Sequence, residues 1–200
     1  MSGFRAAFQQ YLEANANPKH KYGHQPRLYV LTQQIGQDLI YDDDVVYAAV
    51  WLHDLGVFVG HRPESDAALK TWDHVAYITE MAPAILTEAG FPTEKIPAVL
   101  EVIRTHQPQD TPTTLEATIA RDADILEQLG AIGITRTLAK LGSDTRFHTF
   151  TDARDALKKQ LDTLPAKLHL EASKTLAAPK VRIMQAFINS LESEGGEHLH

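Results

Sequence analysis

Hydrophobic and polar residues follow a helical period along nearly the whole chain. Near the start, Phe4, Phe8 and Leu12 recur at every fourth position, which places them on one face of a helix. This pattern predicts a short amphipathic helix that ends before the Asn and Pro residues at 15–18. We find no strand-like alternation of useful length. The pattern therefore predicts an all-α fold.

The next two predicted helices each present a histidine to the interior. His24 lies one turn before an apolar stripe and should face the core with it. The stripe consists of Leu28, Leu31, Ile35 and Leu39. Aspartates at 42–44 suit the start of the third helix, whose apolar run at 45–52 ends at His53 and Asp54. Inside a core, a histidine and a carboxylate each cost free energy unless they form an ion pair or bind a metal. Taken alone, however, His53 and Asp54 are more typical of a hydrogen-bonded helix end.

Two further histidines occupy helix ends. His74 opens a predicted helix that contains Pro83 and ends at Gly90. His106 continues the apolar face of residues 96–103 at helical spacing, so it should also face inward. Each histidine taken singly is typical of an ordinary core or capping residue. Their number favours a shared site.

A later helix carries two aspartates. Residues 113–116 fit a capping box that starts this helix. Ala117, Ala120 and Asp124 lie along one narrow side, where small residues let helices approach closely. We therefore expect Asp124 to point into the bundle and Asp122 to point elsewhere.

The C-terminal part is simpler. A polar break at 142–149 separates it from predicted helices at 153–164 and 179–191. With 200 residues, of which 44% are hydrophobic, the chain can bury one good core. The predicted boundaries are a single domain at 1–193, with a metal-site core at about 20–140 and C-terminal helices at 152–193, and a disordered tail at 194–200.

The amino-acid composition limits which metal ligands and which partners the chain can have. Cysteine is absent, so histidine and carboxylate must hold any metal, and these ligands suit Mn, Fe, Co, Mg or Zn. A formal net charge of -7 argues against DNA as the main partner. We see neither a signal-peptide core nor an apolar run long enough to span a bilayer, so we expect a cytoplasmic protein without membrane contact.

Three motifs resemble the HD-domain superfamily of metal-dependent phosphohydrolases. They are GHQPR at 23–27, AAVWLHDLG at 48–56 and RDADILEQLGAIGITR at 121–136. The last motif and the C-terminal helices are similar to small bacterial HD hydrolases, a subgroup that includes nucleotide pyrophosphohydrolases. The resemblance covers most of the chain and implies an all-α HD-domain helical bundle.

The resemblance also implies a ligand set. One divalent metal would be bound by His24, His53, Asp54 and Asp124. His74 and His106 match the extra histidines of members that bind two metals bridged by Asp54. The small pyrophosphohydrolases resemble single-metal enzymes, so one or two metals per chain both stay open.

The implied activity is hydrolysis of a phosphoester or phosphoanhydride bond in a small nucleotide-type substrate by metal-activated water. Asp54, His53 and Arg27 would be catalytic, and Arg136 and Lys158 are weaker candidates for binding phosphate. Structural ion pairs are the alternative for each of the three cations. The family implies a homodimer. The alternative functions are a hydratase or di-iron oxygenase acting on a small non-phosphate molecule, and a nucleotide-binding sensor without turnover.

Overall fold

The structure, a computed structural model, describes residues 3–141 and 147–200, without the side chain of His20. Within these ranges the regular elements are α-helices and short 3-10 turns, and no β-strand occurs, which confirms the all-α prediction. The helices are α1 Gly3–Asn15, α2 His24–Ile35, α3 Asp43–Leu52, α4 Asp66–Leu69, α5 His74–Glu88, α6 Ile96–Arg104, α7 Leu115–Glu127, α8 Gly130–Leu138, α9 Phe150–Thr163 and α10 Glu171–Gly195. In the described part of the chain, none of these helices is both long enough and apolar enough to cross a membrane.

The chain divides into two compact units, Met1–Arg121 and Asp122–His200. The boundary falls inside the continuous helix α7. The single domain over residues 1–193 therefore stays a prediction, and each unit is described by itself below.

Helix α3 is the centre of the first unit. Every residue from Val45 to Leu52 is buried, as expected for a helix that is hydrophobic all round. It packs against α1, α2 and α6. Asp42 caps its N terminus by accepting hydrogen bonds from the backbone N–H groups of Asp44 and Val45. The predicted start of this helix is confirmed, and the helix ends directly before His53.

In the first unit, the structure bears on the predicted faces of helices α1 and α2 and on the predicted start of α7. Helix α1 buries Phe4, Phe8 and Leu12, as predicted. Helix α2 ends at Ile35, so Leu39 falls outside it and is 37% exposed. The predicted capping box at 113–116 was wrong. Thr114 caps α7 by accepting from the N–H of Ala117, while the carboxylate of Glu116 accepts the distant N–H of Asp42.

The second unit packs α8, α9 and α10 together. Helix α10 begins at Glu171, well before the predicted start at 179, and Pro179 lies inside it. Pro179 is exposed, so water can satisfy the carbonyl that loses its N–H partner. Residues 142–146 of the predicted polar break lie outside the described residues.

The C-terminal tail differs from the prediction of disorder. Residues Gly196–His198 form a 3-10 turn after α10. The carbonyl of Leu199 accepts a hydrogen bond from the Thr151 hydroxyl, and that of His200 accepts one from the N–H of Phe150. These contacts connect the tail to the start of α9.

Candidate metal centre

The C-terminal end of α3 presents His53 with one defined tautomer. Its ring Nδ1 lies 2.9 Å from the carbonyl oxygen of Val50, one turn earlier. A carbonyl can only accept, so Nδ1 carries the proton and Nε2 keeps a lone pair in the neutral ring. His53 is 3% exposed. The helix end therefore supplies a buried nitrogen ligand in a fixed orientation.

His106, which follows α6, is held in the same way. Its Nδ1 donates to the carbonyl oxygen of Ile103 at 2.6 Å, and the residue is buried. Its Nε2 is therefore also the atom with the lone pair. Histidines that bind metals commonly donate their other ring N–H to a backbone carbonyl in this manner. Two helix ends of the first unit thus carry imidazoles whose tautomer and orientation suit metal binding through Nε2.

The imidazoles form a continuous row. The ring centroids of His24 and His53 are 5.2 Å apart, those of His53 and His106 are 4.8 Å apart, and those of His106 and His74 are 6.0 Å apart. His24 and His74 are the first residues of α2 and α5. Four helices of the first unit therefore bring these side chains together, although the histidines are far apart in the sequence.

Asp54 lies against this row with both carboxylate oxygens. Its Oδ2 is 3.6 Å from Nε2 of His24 and 3.5 Å from Nε2 of His53. Its Oδ1 is 3.7 Å from Nε2 of His74. Burial favours the neutral acid, but attraction to positive charge on the four imidazoles, led by that of His53, outweighs burial and holds the pKa of Asp54 well below its ordinary value. A cation bound by neutral imidazoles would supply positive charge at the same place.

This donor set fits a divalent cation. The Nε2 atoms of His24 and His53 are 3.3 Å apart, a distance at which two lone pairs repel unless a proton or a cation lies between them. Ligand atoms of His53, Asp54 and His106 all lie within 4.8 Å of one another. Neutral imidazoles and an ionised carboxylate suit Mn, Fe, Co or Zn better than Ca. A cation would satisfy all of these groups.

Two aspartates of α7 belong to the second unit. Asp122 is 0% exposed, and its carboxylate accepts hydrogen bonds from the backbone N–H groups of His169 and Leu170. These two backbone groups therefore satisfy its carboxylate in the interior of the second unit. Asp124 is half-buried, and its Oδ2 accepts a hydrogen bond from Gln128 at 3.1 Å. Its role as a metal ligand stays a prediction.

Two of the three predicted cationic residues pair with acidic side chains in the structure. Arg136 pairs with Glu127, which is 1% exposed. Lys158 pairs with Glu192 at 2.8 Å on the surface. Arg27 is exposed, and its Nη1 lies 2.7 Å from the place that a Cβ on Gly23 would occupy. The contacts of all three with substrate stay predictions.

Sequence reasoning missed several residues around His74. The position of His61 in a loop predicts a solvated side chain. This prediction is wrong, because the two ring nitrogens of His61 contact Tyr77 and Asn15. Gln107 was not singled out, yet its Nε2 lies 3.5 Å from Nε2 of His74. Gly56, directly after the His-Asp-Leu sequence, was the one visible signal that another element approaches closely here.

Several solved structures have the same fold as this chain. A predicted HD superfamily hydrolase from an uncultured Thermotogales bacterium superposes with a TM-score of 0.63 at 22% identity, over 96% of this chain and 91% of that chain. An HD-superfamily hydrolase from Bacillus thuringiensis gives 0.69 at 20% identity, over 97% of both chains. Bacillus subtilis YpgQ in complex with ADP gives 0.69 at 20% identity, over 97% of this chain and 99% of that chain. The search of curated proteins found no match.

A family model covers the same region as the histidine row. Residues 22–129 match the HD domain, and this segment contains every residue of the row together with Asp54 and Asp124. It spans more than half of the 200 residues. The chain belongs to the HD domain family.

Proposed function

We propose that the protein is a metal-dependent phosphohydrolase that cleaves a phosphoester or phosphoanhydride bond in a small nucleotide-type substrate. The observation that carries this proposal is the approach of the His24 and His53 Nε2 atoms to 3.3 Å beside an ionised Asp54. Such a group of atoms is costly without a cation. A bound cation next to a water-accessible carboxylate is the usual equipment for hydrolysis.

The relatives support the reaction class and the substrate class differently. Two of the structural relatives are named as HD superfamily hydrolases, which favours hydrolysis. YpgQ was solved with ADP, which favours a nucleotide. All of these relatives are 20–22% identical to this chain, so they share its fold, and the activity and the substrate are our proposals.

The ligands for the first metal would be His24, His53 and Asp54, with Asp124 as the fourth. When bound, a divalent cation supplies Lewis acidity that polarises the phosphate and makes water nucleophilic near neutral pH. The ionised carboxylate of Asp54 can accept a hydrogen bond from the attacking water and so orient it. We assign Arg27 to the substrate phosphate, because a guanidinium matches two phosphate oxygens.

Asp54 also favours a second metal position. Its Oδ2 faces His24 and His53, whereas its Oδ1 faces His74. A carboxylate with its oxygens directed to two sets of imidazoles is suited to bridge two ions. We therefore propose that His74 and His106 hold a second ion. Mn, Fe, Co, Mg and Zn are all candidates, and affinity rises along the Irving–Williams order.

The test is an assay with metal-stripped protein. The protein is reloaded with each metal in turn and given nucleoside mono-, di- and triphosphates and a dinucleotide, and release of phosphate and pyrophosphate is measured. We expect turnover that Asp54→Ala abolishes. Asp155→Ala is the matched control, because Asp155 is an exposed carboxylate that pairs with its neighbour Arg154, and it should retain full activity.

Other outcomes of this assay would favour a different function. If no substrate releases phosphate although the wild type retains metal and Asp54→Ala loses it, the nucleotide hydrolase is ruled out. Consumption of oxygen by the iron-loaded protein would then point to an oxygenase. Nucleotide binding without turnover under every metal condition would point to a sensor.

A further inference from the structure

His74 is held differently from the other histidines of the row. The rings of His53 and His106 are hydrogen bonded to carbonyls of their own helix ends, whereas Nε2 of His74 contacts Gln107 and Asp54 at 3.5 and 3.7 Å. Its side chain is 24% exposed. The position of this ring therefore depends on where the first turn of α5 is placed.

Gly56 sets how closely that turn approaches. A Cβ at Gly56 would lie 3.0 Å from the Cβ and the carbonyl oxygen of His74 and 3.0 Å from Cδ1 of Tyr77. The backbone just after Asp54 and the first turn of α5 are thus in direct contact. Because Gly56 is two residues from Asp54, this contact controls the separation of Asp54 and His74.

Trp72 holds the same junction from the side. Its Nε1 donates to the carbonyl oxygen of Gly56 at 2.8 Å. Its ring also packs against Tyr77, with centroids 5.3 Å apart. Trp72 precedes α5 by two residues, so one side chain joins the start of α5 to the segment that follows Asp54.

A directed chain of hydrogen bonds holds Tyr77 on its far side. The Nδ2 of Asn15 donates to the carbonyl of Tyr11 at 2.7 Å, so Oδ1 of Asn15 faces His61 as an acceptor. His61 must then donate from Nε2, which leaves Nδ1 to accept the Tyr77 hydroxyl at 2.9 Å. Tyr77 lies one helical turn after His74. The chain therefore ties α5 to the end of α1.

We propose that Gly56, Trp72 and Tyr77, with His61 behind Tyr77, are positioning residues that hold Nε2 of His74 against Oδ1 of Asp54. Their effect falls on the metal position formed by His74 and His106. The position formed by His24 and His53 does not depend on them. The inference rests on the proposed metal centre, and it adds the residues that decide whether the second ion binds.

Metal binding by stripped protein tests this directly. Tyr77→Phe keeps the ring that packs on Gly56 and removes only the hydroxyl donor. Titration with Mn²⁺ and with Co²⁺, followed by calorimetry and by the Co²⁺ absorption bands, should show two ions in the wild type. In Tyr77→Phe we expect the affinity for the weaker ion to fall about tenfold or more, as for other residues that orient a ligand, with the tighter ion unchanged.

Two comparisons separate positioning from a general loss of stability. Tyr29→Phe removes a similar hydroxyl contact, to Asp43 at 2.9 Å, and should leave both affinities unchanged. His61→Leu should behave like Tyr77→Phe. His61→Gln, which can still donate and accept, should restore the second ion. Gly56→Ala should lower the affinity for the second ion most, and its thermal unfolding shows whether it remains folded.

The inference fails if Tyr77→Phe and His61→Leu bind both ions as the wild type does, or lose both ions equally. It also fails if the wild type binds a single ion, even when nucleotides are hydrolysed. Selective loss of the second ion from a protein that releases no phosphate would support the inference and contradict the proposed hydrolase.

Discussion

Asp54 and Asp122 are two acidic side chains in the interior of the protein with opposite surroundings. Asp122, in the second unit, is fully buried and meets hydrogen-bond donors, because the N–H groups of His169 and Leu170 point at its carboxylate just before α10. Asp54, in the first unit, meets imidazole Nε2 atoms. Those of His53 and His106 carry lone pairs, since the other nitrogen of each ring donates to a carbonyl.

Glu127 follows the pattern of Asp122. It is 1% exposed and pairs with Arg136. Asp122 and Glu127 are both buried acids of the second unit, and the protein supplies N–H partners to each of them. The difference teaches that burial alone does not identify a ligand carboxylate. The useful sign is a carboxylate whose neighbours are imidazole nitrogens that can offer lone pairs, since a bound cation satisfies the carboxylate and the imidazoles together.

The largest effect should come from Asp54→Asn. This change removes a charged ligand, so we expect metal affinity to fall by about 100-fold or more. Above the pH range in which imidazoles take up protons, the metal-free protein should keep its free energy of unfolding, because an amide can donate to the lone pairs that face it. Metal titration and urea unfolding in chelator measure the two quantities. A large loss of stability in the metal-free protein would show that Asp54 is structural, like Asp122.

Asp122→Asn should give the reverse result. The new amide group would face backbone N–H groups, so one buried donor loses its acceptor at a cost of about 1–3 kcal/mol. We expect this loss in the free energy of unfolding from urea titration, with metal affinity unchanged. Asp124→Asn on the same helix is the matched variant and should weaken metal binding instead. Unchanged metal binding in Asp124→Asn would remove Asp124 from the ligand set.

The smallest effect should come from His61 and concerns the pH dependence of the free energy of unfolding. It distinguishes a histidine held by side-chain hydrogen bonds from the proposed ligand histidines. Burial lowers the pKa of His61 below its ordinary value. The unfolded chain therefore binds the proton more readily, and stability falls as the pH drops from about 6.5 through the pKa of the folded state.

The check uses His61→Gln in chelator between pH 5 and 8. Its free energy of unfolding should decline less on acidification than that of the wild type, because the variant has no imidazole to protonate at this place. The difference should be smaller than the loss in Asp122→Asn. An identical slope in the two proteins would show that His61 is protonated equally well in the folded and unfolded states.

Much of the site was predictable because helical period is a local property. The spacing of apolar residues placed His24 on the inward face of α2 and His74 and His106 at helix ends, and the aspartates at 42–44 marked the start of α3. The structure agrees at each point. The His53 and Asp54 pair could be found in the same way, since an apolar run that ends in two ligand groups is visible without any tertiary contact.

Features that depend on distant partners were not predictable. The early start of α10 follows from Asp122, which is 47 residues before His169 and satisfies its N–H. His61 gave no sign of its contacts, because Asn15 is 46 residues away.

The amino-acid sequence by itself determined the helical fold, the helix that carries each histidine, and a nitrogen and oxygen ligand set without cysteine. These follow from periodicity and from residue chemistry, which need only neighbours along the chain. Tertiary structure alone decided that Nε2 of His24 and His53 face each other, that Asp54 turns its two oxygens to different imidazoles, and that Gly56 lets α5 bring His74 into reach. The physical reason is that these distances depend on the packing of separate helices, and helix packing is set by contacts between residues far apart in the chain.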